Sequence, residues 1–298
     1  SDPGFQLWFE CQKKLWGNLI TRKNPIGIHE VINTATPEKM MIIKNKYYFP
    51  NNSILVICGD VKHEDAFAKA KVIFGDWESS GFDPQVKFPI PEFTPLTSTE
   101  YFVKESSIAQ TPLEMYWWQG PDTRNDSAST VAADVFYTIL GMNSSKWQQA
   151  LVDKGLTSFA AAQYQTSKYV GPVMVYLMPN PNKLKACNDE VLNQVKQWGN
   201  DDYFTDAQLE DAKQILRRNA IRQREKPSAQ ASEITYNWCS TSLDYYNDYE
   251  DNLQKVTRED IKRFVSRYIT GKPYVAGMII NPAMNKKFNA SAEFKPGL

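Results

Sequence analysis

Thr36-Pro-Glu38-Lys-Met-Met-Ile-Ile-Lys-Asn-Lys46-Tyr47, followed by the apolar run Ile54-Leu-Val-Ile-Cys58-Gly59-Asp60, returns further along the chain. The second version reads Thr257-Arg-Glu259-Asp-Ile-Lys-Arg-Phe-Val-Ser-Arg267-Tyr268, followed by Val275-Ala-Gly-Met-Ile-Ile280-Asn281. The offset is 257 − 36 = 221 residues throughout, with no gap. Thr36 and Thr257 are expected helix N-caps, their hydroxyls meeting orphan amide donors, and Glu38 and Glu259 sit in the first turn, where the helix dipole favours them. Each helix closes on an aromatic and a turn, Phe49-Pro50-Asn51-Asn52 or Thr270-Gly271-Lys272-Pro273, and then enters an apolar run suited to a buried strand. A capped helix feeding a core strand is therefore expected to close each of two copies of one domain type, the first copy being truncated.

That duplication divides the chain. Residues 1–78 read as the C-terminal part of a first domain, and residues 100–298 as a second domain. Between them, residues 79–99 form a linker with four prolines between Pro84 and Pro95. Such a stretch is read as an extended strap rather than a regular helix or central strand.

In the second domain the order of elements is mixed. Glu100–Lys104 and Pro112–Trp118 read as strands, Ser129–Leu140 and Ser145–Val152 as helices, and Ser158–Tyr164 and Val173–Met178 as a hairpin across Tyr169-Val170-Gly171-Pro172. Helices are then expected at Leu184–Trp198, Thr205–Gln223, Ser228–Ser240 and Thr257–Ile269, before a last strand at Val275–Ile280. Strands and helices in this order predict an α+β sandwich, an antiparallel or mixed sheet packed against helices.

The 298 residues are 42% hydrophobic and carry 34 Lys+Arg against 34 Asp+Glu, enough apolar material for substantial cores and no global basic field of the kind that drives nucleic-acid binding. No apolar run approaches the ~18 residues of a membrane helix. Cys11, Cys58, Cys187 and Cys239 are scattered without C-x-x-C spacing and read as buried free thiols.

Chemistry-bearing patterns are sparse. His29-Glu30 superficially resembles the start of H-E-x-x-H, but the position that would need the second histidine holds Asn33. His63 opens the helix Glu64–Phe74 in a polar loop, and both histidines read as surface residues. There is no G-x-S-x-G elbow, P-loop or G-x-G-x-x-G. Arg217, Arg218, Arg222, Arg224 and Lys226 make a basic stretch that reads as a solvated face paired with Glu210, Asp211 and Glu225, and Tyr245, Tyr246 and Tyr249 read as a loop and contact surface.

Asn24-Pro25-Ile26-Gly27, Tyr47-Tyr48-Phe49-Pro50-Asn51-Asn52 and Leu55-Val-Ile-Cys-Gly59-Asp60-Val61 resemble the stretch that ends the first domain of the M16 zinc metallopeptidases, the relatives of pitrilysin, insulin-degrading enzyme and mitochondrial processing peptidase. Ala150-Leu151-Val152-Asp153-Lys154-Gly155-Leu156-Thr157-Ser158 is similar to a helix-to-strand corner of the domain that follows. The resemblance implies paired homologous α+β domains, two per half, with two halves closing around an unfolded peptide. It also implies a zinc site of H-x-x-E-H plus a later glutamate, upstream of this chain, with Glu10 too late to be the third ligand. No catalytic, cofactor-binding or metal-ligating residue is therefore assigned here, and zinc belongs to the parent enzyme.

The expected role is the non-catalytic portion of such a peptidase: a chamber wall and peptide-enclosing scaffold. The expected partners are a peptide or unfolded polypeptide and a second M16 half, in the same polypeptide or a partner subunit. The alternative is an M16-fold pseudo-enzyme acting as a binding or assembly subunit. Envelope-localised bacterial relatives point to the periplasm. In the family the half opposite the zinc carries Arg and Tyr in a pattern like L-R-x-K-x-x-L-x-Y at this corner. Val152 and Ser158 or Phe159 stand there instead, which assigns the chain to the zinc-bearing half.

Overall fold

The computed structural model describes residues 2–17, 19 and 27–294. The first helix, α1 (Pro3–Trp16), starts at Asp2, whose side chain accepts from the Phe5 amide, with Pro3 at the first turn. Leu7, Cys11 and Leu15, four residues apart, form one buried stripe that Trp16 extends. There follow α2 (His29–Asn33), α3 (Pro37–Tyr47), α4 (His63–Phe74) and the single turn α5 (Pro84–Lys87).

Next come the strands β1 (Glu100–Glu105) and β2 (Leu113–Gly120), the helices α6 (Ser127–Leu140) and α7 (Lys146–Gln148), and the hairpin strands β3 (Thr157–Tyr164) and β4 (Gly171–Pro179). The helices α8 (Leu184–Gln197), α9 (Asp206–Arg224), α10 (Pro227–Ser240), α11 (Leu243–Lys255) and α12 (Arg258–Tyr268) precede the strand β5 (Tyr274–Ile280). Short helices α13 (Pro282–Phe288) and α14 (Ala290–Glu293) end the described chain.

The five strands form one mixed sheet in the order β1-β5-β2-β4-β3. β1 runs parallel to β5, while β2 is antiparallel to both β5 and β4, and β3 pairs antiparallel with β4 as the expected hairpin. The inner strands β2, β4 and β5 are buried along nearly their whole length, as befits a sheet covered on both faces. Tyr116, Trp118, Val173, Val175, Ala276 and Met278 point into the larger core beneath α6, α8, α9 and α12. Leu113, Met115, Trp117, Met174, Val275 and Ile279 point the other way, into a smaller core whose lid is α1. Helix and sheet approach closely there, because a Cβ on Gly277 would lie 2.5 Å from Phe102 Cζ and 2.9 Å from Leu7 Cδ1.

The two copies behave differently. Thr36 and Thr257 both cap their helices, accepting from the amides of Lys39 and Asp260, and Thr257 adds a full capping box. In the second copy Ile261 and Phe264 are fully buried, and so are Ala276 and Met278. Their counterparts at the same offset are open: Met40 is 60% exposed, Ile43 49%, Leu55 56% and Ile57 48%. The strand expected over Ile54–Asp60 is not one, since residues 53–58 run extended without joining a ladder among the described residues. A strand needs a neighbour for its amides, and the described residues supply none.

The strap holds one short helix, α5, capped by the Asp83 carboxylate, and otherwise has no regular secondary structure. Asn51 ties it to the end of α3, donating to Phe82 O at 2.7 Å and accepting from the Ser80 amide at 3.1 Å. Further on, Gln119 of β2 accepts from the Leu96 amide and donates to Thr94 O and Leu15 O, so one side chain joins strap, sheet and α1.

Candidate functional site

The structure separates most of the residues singled out in the sequence. His29 lies exposed on α2 with a ring nitrogen 2.9 Å from Asn33 Nδ2, and His63 starts α4, also exposed. Glu10 on α1 pairs with Lys104 at 3.4 Å. Asn24, Pro25 and Ile26 lie outside the described residues. Among the described residues no three His, Cys, Asp or Glu side chains are placed to hold a metal ion, so those side chains do not fit the zinc that the family resemblance implies. Nor is any described helix long and apolar enough to cross a membrane. Two thiols depart from the expected burial: Cys239 is exposed and Cys58 half-buried, while Cys11 and Cys187 are buried.

The helix-to-strand corner is well ordered and chemically quiet. After α7 the helix widens over Gln149–Asp153, the Leu156 amide donates to Leu151 O, and Gly155, at φ +63°, turns the chain into β3. Val152 is half-buried against the main core. The Ser158 hydroxyl is engaged with Met178 O at 3.3 Å, and the Phe159 ring meets Tyr176 edge-on at 5.8 Å. Val152 and Phe159 carry no donor and the Ser158 and Thr157 hydroxyls are spent on Met178 O and Phe159 O, so none of these four side chains offers a donor to a developing oxyanion, while the exposed Lys154 ammonium faces solvent.

A different part of the domain concentrates charge and rings. Tyr245, Tyr246 and Tyr249 lie on α11, not in a loop, because Ser242 caps that helix and Tyr245, Tyr249 and Leu253 recur every four residues toward the core. They help to line a cleft of about 380 Å³ that also takes in Asp134 of α6, Tyr164 of β3, Arg224 of α9, and Glu233 and Tyr236 of α10. The Tyr249 hydroxyl donates to Asp134 Oδ2 at 2.9 Å, Tyr245 shares a hydrogen bond with Thr130 at 2.8 Å, and Tyr164 and Tyr236 donate to Pro121 O and Thr166 O. Arg224 is committed to Glu250 at 2.7 Å. Burial pushes the Asp134 carboxyl from its ordinary 3.8 to about 7, against the opposing hydrogen bond from Tyr249. Sequence reading missed this residue. The signal was an acid placed between Val131 and Val135 on an otherwise apolar helix.

A second buried acid sits in the main core. Glu114, fully buried on β2, has its carboxyl pushed up to about 8 by desolvation. The Asn188 amide of α8 lies 2.7 Å from Glu114 Oε2 and 3.0 Å from the Tyr116 hydroxyl. A protonated Glu114 donating to the amide oxygen satisfies both contacts, and burial favours that state.

Against known proteins, a family model described as the peptidase M16 inactive domain matches residues 34–216. No curated protein matches the sequence. Among solved structures, a protease from Helicobacter pylori superposes with a TM-score of 0.77 at 20% identity, over 92% of this chain and 66% of that one. The peptidase M16 inactive domain from Pseudomonas fluorescens gives 0.74 at 19% identity, over 93% and 65%. The first half of the periplasmic protease PqqL from Escherichia coli gives 0.69 at 14%, over 98% and 65%. The chain thus spans about two thirds of the length of these solved chains, and at such identities the likeness concerns the fold.

Proposed function

The chain belongs to the M16 peptidase family, through the inactive domain of those enzymes, and on that premise we propose that it is a non-catalytic portion of a peptide hydrolase, building the wall of a chamber that encloses an extended polypeptide. Residues 1–78 are the closing part of a first domain, residues 79–99 the linker and residues 100–298 a second domain of the same type. α1 joins them, lending its apolar stripe to the face of the five-stranded sheet opposite the main core.

One observation carries the reading. The helix-and-strand unit that fills the core of the second copy leaves its first-copy counterpart open at Met40, Ile43, Leu55 and Ile57. Apolar residues in a capped helix and an extended segment ask for a sheet to pack against, and elements of a preceding domain segment would supply it. Zinc and its ligands belong to that segment, and a further M16 half, in the same polypeptide or a partner subunit, completes the enclosure. The quiet corner at Leu151–Phe159 supports placing the chain in the zinc-bearing half.

The test is complementation. The segment encoded ahead of Ser1, produced separately with zinc, should co-purify with this chain and protect its first copy from proteolysis. Chelator-sensitive cleavage of an unstructured peptide should require that segment together with the opposite half. Co-purification without cleavage would favour an assembly subunit. Absence of any such segment, or hydrolysis by this chain alone that a chelator abolishes, would overturn the proposal.

A further inference from the structure

The cleft between α6, α9, α10, α11 and the end of β3 lies away from the helix-to-strand corner and from the exposed first copy, and the reading above gives it no role. Its walls have an uneven chemistry. The hydroxyls of Tyr164, Tyr236, Tyr245 and Tyr249 are all committed to protein partners, so what these residues offer the cleft is ring surface. The Tyr245 and Tyr249 rings stand 6.0 Å apart.

Against the rings are two carboxylates with no cationic partner among the described residues: Asp134, whose contact is the Tyr249 hydroxyl, and Glu233, whose Oε1 accepts from Asn237 Nδ2 at 2.9 Å. The cation in the lining, Arg224, is neutralised by Glu250 and stacked near the Tyr246 ring at 5.8 Å. Aromatic faces around an uncompensated acid attract a positive charge twice, through the ring quadrupole and through Coulomb attraction in a partly desolvated site. The cleft volume of about 380 Å³ also lies within the ordinary small-molecule range of ~300–1,000 Å³.

We propose that this cleft is a binding site for an organic cation, an alkylammonium or alkylguanidinium group with a short aliphatic stem, held by Asp134 and Glu233 among the tyrosine rings. The group can come from a free amine or from a lysine or arginine side chain of a bound polypeptide. Occupancy and ionisation are linked. An empty cleft holds a share of Asp134 protonated near neutrality, and an arriving cation favours the carboxylate, so binding expels a proton and strengthens as pH rises through about 7. The other groups facing Asp134 leave that sign unchanged. Tyr164, Tyr245 and Tyr249 are pushed further above their ordinary values and stay neutral, while Arg224 stays charged.

The experiment is calorimetric titration of the full chain with n-butylguanidinium, n-butylammonium and, as a neutral match, n-butylurea, at fixed ionic strength and at pH 6 and pH 8. The cations should bind at least tenfold tighter than the urea, more tightly at pH 8, and with buffer-dependent heats that report proton release. Asp134→Asn should lower cation affinity tenfold or more, and Glu233→Gln severalfold, with urea binding unchanged.

An unstructured peptide with one central arginine, compared with its citrulline counterpart, separates the sources. Preference for the arginine peptide assigns a polypeptide side chain, and binding of the free cations alone assigns a free amine. Equal affinity of the unaltered chain for cations and urea overturns the proposal without recourse to any variant. So does Asp134→Asn binding the cations within twofold of the unaltered chain.

Discussion

Replacing Glu114 by Gln should make this protein more stable, and increasingly so as pH rises. The carboxyl lies fully buried on β2, the central strand of the sheet, with its pKa moved from an ordinary 4.5 to about 8. A folded chain that keeps a proton the unfolded chain releases loses stability as pH climbs from the unfolded value to the folded one. At ~1.36 kcal/mol per pKa unit the penalty is about 1 kcal/mol at pH 5, about 3 at pH 7 and about 5 above pH 8. Gln keeps the shape and can donate from its amide to the Asn188 oxygen, as the protonated acid does, but carries no proton to lose. The difference in unfolding free energy between Glu114→Gln and the unaltered chain should therefore grow by about 2–3 kcal/mol between pH 5 and pH 7, then level off above pH 8. Asp134, whose pKa is raised in the same sense, is common to both proteins and drops out of the difference. Urea unfolding at pH 5, 7 and 8.5 reads it. A difference that stays flat across this range, or shrinks, would refute the placement of a neutral acid at Glu114.

Leu15→Ala, which empties part of the interface between α1 and the sheet, should cost about 2–5 kcal/mol in the same unfolding assay, the range for deleting a buried leucine side chain. Gly277→Ala should cost about 1–3 kcal/mol through overpacking against Phe102 and Leu7, and Phe102→Leu should recover part of that loss in a double-mutant cycle. Maleimide labelling followed by mass spectrometry should modify exposed Cys239 first and leave Cys11 and Cys187 untouched until the protein unfolds. Burial both hides those two thiols and raises their pKa well above the ordinary value.

Local signals gave the skeleton of this molecule and long-range pairing decided the rest. The cap at Thr257, the apolar run ending at Ile280 and the hairpin around Gly171 were legible because each rests on residues close in sequence. Extending the same reading to Ile54–Asp60 failed, since an apolar run becomes a strand only beside another strand, and spacing cannot say whether one exists. The tyrosines of α11 misled through composition: a polar, aromatic stretch reads as a loop unless the four-residue recurrence through Leu253 is weighed. Glu114 and Asp134 were overlooked because an acid inside an apolar pattern has meaning only once burial on all sides is known. The docking of α1 was invisible for a related reason, as an amphipathic stripe does not name its target.

Strand order also sets a timetable. β5 lies between β1 and β2, yet of the five described strands it is synthesised last. Before β5 emerges from the ribosome, β2, β4 and β3 can zip together as neighbours, but β1 has no hydrogen-bonding partner and α1 lacks Val275 and Ile279, two of the six buried sheet residues in the core it covers. Closing contacts across some 260 residues costs little more entropy than closing much shorter loops, since the penalty grows only logarithmically. The waiting time is the larger hazard, because an unpaired strand and an apolar helix stay open to wrong partners until β5 emerges. A holding chaperone that releases its client only once β5 has emerged would suit this topology, and an insertion that delays β5 would lengthen the vulnerable interval without touching a single native contact.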